Sequence, residues 1–222
     1  MPGALVAIIF LMIIGGCAGL PPISQPEPEA CTRNLTACKE IFPRSGLELV
    51  HSMTARMPGG RTYKGISATI LYPDESLVKC AIMSIEGLVF FSAESAGPGS
   101  IEVKRAVGPF ENAEFATRVF EDIRRVFFPP RGRIILCGKT ASGSQVCRYD
   151  LDKGGFVDIV RAKEESYEIF EYSPRGKKLQ TVSMLWEKRP QKTPAVEIAI
   201  ERHGFSGYRL FFELIEYTFL KK

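Results

Sequence analysis

The chain has 222 residues, 45% of them apolar, 24% charged, and a formal net charge of +4. That composition suits one packed domain with a tether, or at most two small domains. The excess charge is spread out: Lys177-Lys178 and Lys221-Lys222 are only pairs, so no run is dense enough for a nucleic-acid partner.

The first charged residue is Glu27, and Ala4 to Ile14 is an unbroken run of eleven apolar residues. A bilayer core of ~30 Å needs about 20 helical residues, so this run is too short to span it. It has the length of the apolar region of a secretory signal. It ends in Ile14-Gly15-Gly16-Cys17. That tetrapeptide resembles the lipobox of bacterial lipoproteins: an aliphatic residue, two small residues, then the cysteine that becomes the mature N-terminus. The resemblance implies a signal peptide over residues 1–16 and a lipid on Cys17, whose thiolate takes the diacylglyceryl group. Residue 18 is Ala rather than Asp, which by the same resemblance favours the outer membrane, with the domain facing the periplasm.

Residues 17–30 hold the lipidated cysteine and a tether with four prolines among residues 18–30, a composition that stays extended. The remaining domain spans residues 31–222. Its cysteines suit an oxidising compartment. Cys31 and Cys38 lie close together, while Cys137 and Cys147 flank a turn centred on Ser142. The pairs 31–38 and 137–147 are expected as disulfides, with free buried thiols as the alternative for both, and Cys80 as a buried thiol. No Cys-x-x-Cys and no nearby His pair occurs, so no metal site and no cofactor are expected.

Strand patterns follow in close succession. Segments Leu47–Met57, Arg61–Tyr72, Leu77–Met83, Leu88–Ala93 and Ile101–Val107 come first, separated by Gly and Pro turns. Asn112 to Phe128 then breaks the period. Its apolar residues Phe115, Val119, Phe120, Ile123, Val126 and Phe127 form a helical stripe opposite a charged face. Asn112 is a good N-cap and Pro129-Pro130 a stop. Strand patterns resume at Arg133–Cys137, Val146–Leu151, Phe156–Ala162, Glu168–Tyr172, Leu179–Trp186, Val196–Glu201 and Tyr208–Phe219. A mainly β (α+β) chain of about eleven strands is expected, as an antiparallel barrel or curved sheet. No long period repeats, which excludes solenoids and propellers.

In this order of elements the chain resembles the LolA/LolB superfamily, the periplasmic carriers and outer-membrane receptors of lipoproteins, over roughly residues 45–220. The resemblance implies an unclosed antiparallel β-barrel with an amphipathic helix as lid. It rests on the lipobox and short tether, the loop Ser84-Ile85-Glu86-Gly87-Leu88, the segment Val103-Lys104-Arg105-Ala106 and the helix from Asn112. In the receptor branch the matching loop carries an exposed apolar residue that helps deliver lipoprotein to the membrane. Here the apex is Glu86, and Ile85 or Leu88 would take the membrane-facing role.

The residues bear on three classes of function. A binding protein would hold acyl chains or lipoproteins in an apolar half-barrel, walled by Ile66, Ile70, Ile82, Val89, Phe91 and Val103. Phe115, Val119, Phe120 and Ile123 would supply the lid. Burial of acyl surface, at roughly 25 cal/mol per Å², would drive it. An assembly or scaffold lipoprotein would use the same residues as core and contact an envelope complex through its surface. An enzyme is not expected. His51 and His203 are the histidines of the chain, neither lies in a catalytic motif, and carboxylate pairs such as Glu121-Asp122 read as solvated faces.

Overall fold

The computed structural model describes residues 19–24, 35–97, 99–188, 190 and 193–220. Cys17, Cys31 and the signal segment lie outside them. A short helix, α1 (35–40), is followed by β1 (Gly46–Arg56), β2 (Thr62–Tyr72), β3 (Leu77–Met83), β4 (Val89–Ala96) and β5 (Glu102–Ala106). Helix α2 (Ala113–Phe127) leads to β6 (Gly132–Lys139), β7 (Gln145–Leu151), β8 (Phe156–Lys163), β9 (Ser166–Tyr172), β10 (Lys178–Leu185), β11 (Glu197–Arg202) and β12 (Arg209–Leu220).

The described strands form a single twelve-stranded sheet, in the order β5-β4-β3-β2-β1-β12-β11-β10-β9-β8-β7-β6. Every neighbouring pair is antiparallel. Neighbouring strands are consecutive in the chain, and most of their connections are short turns, several of them containing Gly. The exception is β1 with β12, paired from Gly46↔Leu220 to Arg56↔Arg209 with a bulge at Val50/His51. The sheet is therefore an unclosed barrel with free edges at β5 and β6. The chain crosses from one edge to the other through α2.

Local chemistry explains the helix. Asn112 stays extended, and its Oδ1 accepts from the Glu114 amide at 2.9 Å, satisfying one of the donors a helix start leaves over. Glu114 pairs with Arg118 one turn on, at 2.6 Å. The apolar stripe meets the inner face of β1–β4, where Leu47, Leu49, Leu71, Val78, Phe91 and Phe120 form one core. A second core lies under β6–β11 and α1, around Val157, Ile159, Tyr167, Ile169, Val182 and Trp186. Phe127 and Phe212 pack against both.

The disulfides differ from the expected pairs. Cys137 and Cys147 face each other across the β6–β7 hairpin, as their spacing implies, but Cys147 is bonded to Cys38 on α1. Both hairpin cysteines are buried beneath the helix, so the third cysteine on that face captures one of them. Cys137 is also disulfide-bonded, to a cysteine outside the described residues. Neither 31–38 nor 137–147 forms. Cys80 is a free, buried thiol.

Part of the expected tether is docked. Ser24 exchanges two backbone hydrogen bonds with Lys139 at the end of β6, both 3.0 Å. Arg148 Nη2 donates to the Pro21 carbonyl at 2.9 Å, while its other contacts form a buried ion pair with Asp158. Gly138 permits the approach, since a Cβ there would lie 2.0 Å from the Ser24 carbonyl oxygen.

The Cys38–Cys147 bond closes a loop of 109 residues, which restricts the unfolded chain strongly. With the Cys137 bond left in place the loop is shorter, and replacing both cysteines by Ala is expected to cost about 3 kcal/mol, read as a lower urea midpoint. Non-reducing peptide mapping should join the Cys38 and Cys147 peptides.

Candidate functional site

A cavity of about 400 Å³ lies between the inner face of the sheet and α2. Met53 and Ala55 of β1, Ile82 of β3, Ile198 and Ile200 of β11, and Leu210 and Phe212 of β12 give it an apolar wall. Phe115, Val119, Ile123, Val126 and Phe127 of α2 form its roof, with Phe110 beside them. The turn between β1 and β2 brings Met57, Pro58, Arg61 and Tyr63 to its mouth. The first of these is half-buried and the other three are exposed.

The side chains of β2 account for the space. Alternation points Gly65, Ser67, Thr69 and Leu71 inward. Three of those four are small, where a filled core would need Leu or Phe. Ile66 and Ile70, expected in the wall, point to the outer face and are half-buried there. Beside the cavity the large aliphatic residues of this strand lie on its outer face, so their hydrophobicity gives the wrong face. Val103 fails as a wall residue for a different reason: it is 44% exposed on the edge strand β5. Val89 is half-buried opposite Met83 and is not part of the cavity lining. Of the other expected residues, Ile82, Phe115, Val119 and Ile123 line the cavity. Phe91 and Phe120 sit in the adjoining core, where Phe91 meets the Phe115 ring edge-on at 5.2 Å.

The lid is held on both sides of the opening. Arg124 donates to Ser95 Oγ at 3.0 Å and to the Ser76 carbonyl at 3.3 Å, on the β3–β4 side. Arg125 pairs with Glu171 of β9 at 2.6 Å. Asp122 is not a solvated residue, as its neighbour Glu121 suggests, but is 5% exposed. Its carboxylate accepts from Gln180 Nε2 and Tyr208 Oη, both at 2.6 Å. Burial raises its pKa, with the two hydrogen bonds and Arg202 opposing.

Of the polar groups in the wall, Cys80 is the buried thiol expected, while His51, Ser67 and Thr69 had no signal in the sequence pattern. His51, Ser67, Thr69 and Cys80 all line the cavity. His51 is 3% exposed and packs edge-on to Phe212 at 5.9 Å. Desolvation lowers its pKa from 6.5 to about 4, so it is a neutral imidazole and a weak base at neutral pH. Burial pushes the Cys80 thiol up to about 12, which suppresses the nucleophilic thiolate.

Trp186 does not line this cavity. It is buried against Tyr167, with ring centroids 5.5 Å apart, beside a second hollow of about 280 Å³ between α1, β10 and the end of β12. Ile85 and Leu88, in the β3–β4 hairpin, are 72% and 55% exposed. Among the described residues no helix is long and apolar enough to cross a membrane, and no group of three His, Cys, Asp or Glu side chains could hold a metal ion.

Known structures share this architecture. A LolA superfamily protein from Nitrosomonas europaea superposes with a TM-score of 0.59 over 86% of this chain and 94% of its own, at 12% identity. A domain from Vibrio parahaemolyticus, assigned as an outer membrane lipoprotein-sorting protein, gives 0.50 over 86% and 92%, at 16% identity. At these identities the likeness is one of fold: the domain is a LolA-like unclosed barrel. No protein-family model and no curated protein matches the sequence.

His51 sets a pH dependence. Its unfolded form takes up a proton near pH 6.5, its folded form only near 4, so stability falls as pH drops between those values. A His51→Met variant should lose on the order of 3 kcal/mol of that fall. Asp122 acts in the opposite direction, since its raised pKa favours the acid form in the fold. It is common to both proteins, so the difference between their urea midpoints at pH 7 and pH 4 isolates His51.

Proposed function

We propose that the chain is an envelope lipoprotein, anchored by Cys17 to the outer membrane and facing the periplasm. It binds acyl chains, free or on lipoproteins, and assists their delivery. The observation that carries this reading is the apolar cavity under α2, with its mouth at the β1–β2 turn. The LolA-like fold supports it, as do the apolar run and lipobox-like sequence before Cys17. A volume of about 400 Å³ falls within the range of small-ligand sites, roughly 300–1,000 Å³. In this role the cavity binds and does not catalyse, and the exposed Ile85 and Leu88 meet the membrane when the docked segment of residues 19–24 leaves β6.

The full chain, purified from bacterial envelopes and extracted with solvent, is expected to release fatty-acyl ligands in reproducible stoichiometry. Val119→Trp would fill the cavity from the lid and should abolish that yield, at a stability cost of about 1–3 kcal/mol. A wild-type extract no richer than that of an unrelated envelope protein would end the carrier reading. The anchor has its own check. Intact mass should place the mature N-terminus at Cys17 with a diacylglyceryl thioether, and an unmodified thiol there would remove the lipoprotein assignment.

A further inference from the structure

Below its mouth, the strand wall of the cavity is apolar except for one adjoining set of positions. His51 on β1 stands directly opposite Ser67 on β2. Thr69, the next inward residue of β2, stands opposite Cys80 on β3. All four line the cavity, so three neighbouring strands present a small polar spot inside a greasy wall. The polar groups around the cavity are not equally satisfied. Asp122, across the cavity, has both carboxylate oxygens occupied by Gln180 and Tyr208. His51 Nε2 is buried and has no hydrogen-bond partner among the described residues. Buried polar atoms are nearly always paired, and each exception calls for a reason.

We infer that the cavity, if it holds acyl chains as proposed above, prefers chains that carry a neutral oxygen, a hydroxyl or an ester carbonyl, at the level of His51. A neutral imidazole offers one N–H donor and one acceptor nitrogen, so it can serve either oxygen. An ionised group does not suit this depth. The imidazole is uncharged at neutral pH, and the Asp122 carboxyl also lines the space, so a carboxylate there would lose its hydration without a cation to replace it. The charged end of a ligand belongs at the mouth, where Arg61 is exposed. From Arg61 to Ser67 is six residues along the chain, at most about 20 Å at strand rise. The selected oxygen therefore lies far from the charged end.

The test uses the full chain immobilised on beads through a carboxy-terminal tag, washed free of detergent and loaded with radiolabelled hexadecanoate. 16-Hydroxyhexadecanoate should displace the label at about a three- to tenfold lower concentration than unlabelled hexadecanoate, the size of one neutral hydrogen bond. 2-Hydroxyhexadecanoate, whose oxygen stays at the mouth, should gain nothing. In His51→Phe the two ligands should displace the label at equal concentrations, whatever its affinity for hexadecanoate, and His51→Gln, which keeps a polar amide, should retain the preference. If the Phe variant does not fold, Ser67→Ala is expected to reduce the preference. Equal displacement by hexadecanoate and its 16-hydroxy form in the wild type overturns this inference and leaves the carrier reading standing. Failure to retain hexadecanoate at all overturns both.

Discussion

The pairing of the first strand with the last governs the rest of the molecule. Eleven residues of β1, from Gly46 to Arg56, run against β12, so the two ends of the folded chain lie at the centre of the sheet. The sheet's free edges are then β5 and β6, which belong to the middle of the chain. Exposed edges invite unwanted pairing. Here the connection between them is α2, whose apolar stripe packs against the inner face of the sheet. The lid is thus a consequence of topology as much as of helix propensity.

A lid over an unclosed sheet need not leave a cavity. It does so here because residues on one strand are too small to reach it. Gly65, Ser67 and Thr69 face inward on β2, while Ile66 and Ile70 turn outward. Gly65 has a further constraint, since a Cβ there would meet the Met83 carbonyl oxygen at 2.4 Å. Interiors are normally filled to crystal-like density, so a run of small inward residues facing a Phe-rich helix amounts to a built space. The polar character of some of them adds to the case. Ser67 and Thr69 are 8% and 3% exposed, and a dry core gains nothing from their hydroxyls.

Much of this was legible in the sequence. The helix was readable from the Asn112 cap, the 3.6-residue stripe and Pro129-Pro130, because each of those signals is local. The hairpins were readable from their turns, and Cys137 and Cys147 do face each other. The disulfide partner was not readable, because α1 reaches Cys147 across 109 residues of chain and no local pattern encodes that contact. The wall was half readable. Ile82, Phe115, Val119 and Ile123 were found, since on their elements the apolar face is the inner one. On β2 the rule inverts, and hydrophobicity pointed to Ile66 and Ile70. His51 and Asp122 were missed for a related reason: their burial is set by strands and helices distant in sequence, while their chemistry reads as surface.

The docking of residues 19–24 bears on how an anchored form would act. Lys139 is the last residue of β6, and successive antiparallel neighbours put it at the end of the sheet opposite the β1–β2 turn. The mouth of the cavity and the hairpin of Ile85 and Leu88 lie at the turn's end. A lipid on Cys17 would be joined to residue 19 by two residues, which reach at most about 7 Å. With Ser24 held on β6, that anchor and the mouth address opposite directions, so an anchored molecule would present its cavity to the compartment and not to its own bilayer. Discharge into that bilayer would require the segment to leave β6. Among the described residues its hydrogen bonds are those of the Ser24 amide and carbonyl with Lys139, the Ser24 hydroxyl to the Lys139 carbonyl at 3.2 Å, and Arg148 to the Pro21 carbonyl. The intact ion pair of Arg148 with Asp158 would keep the underlying sheet face paired when the segment leaves.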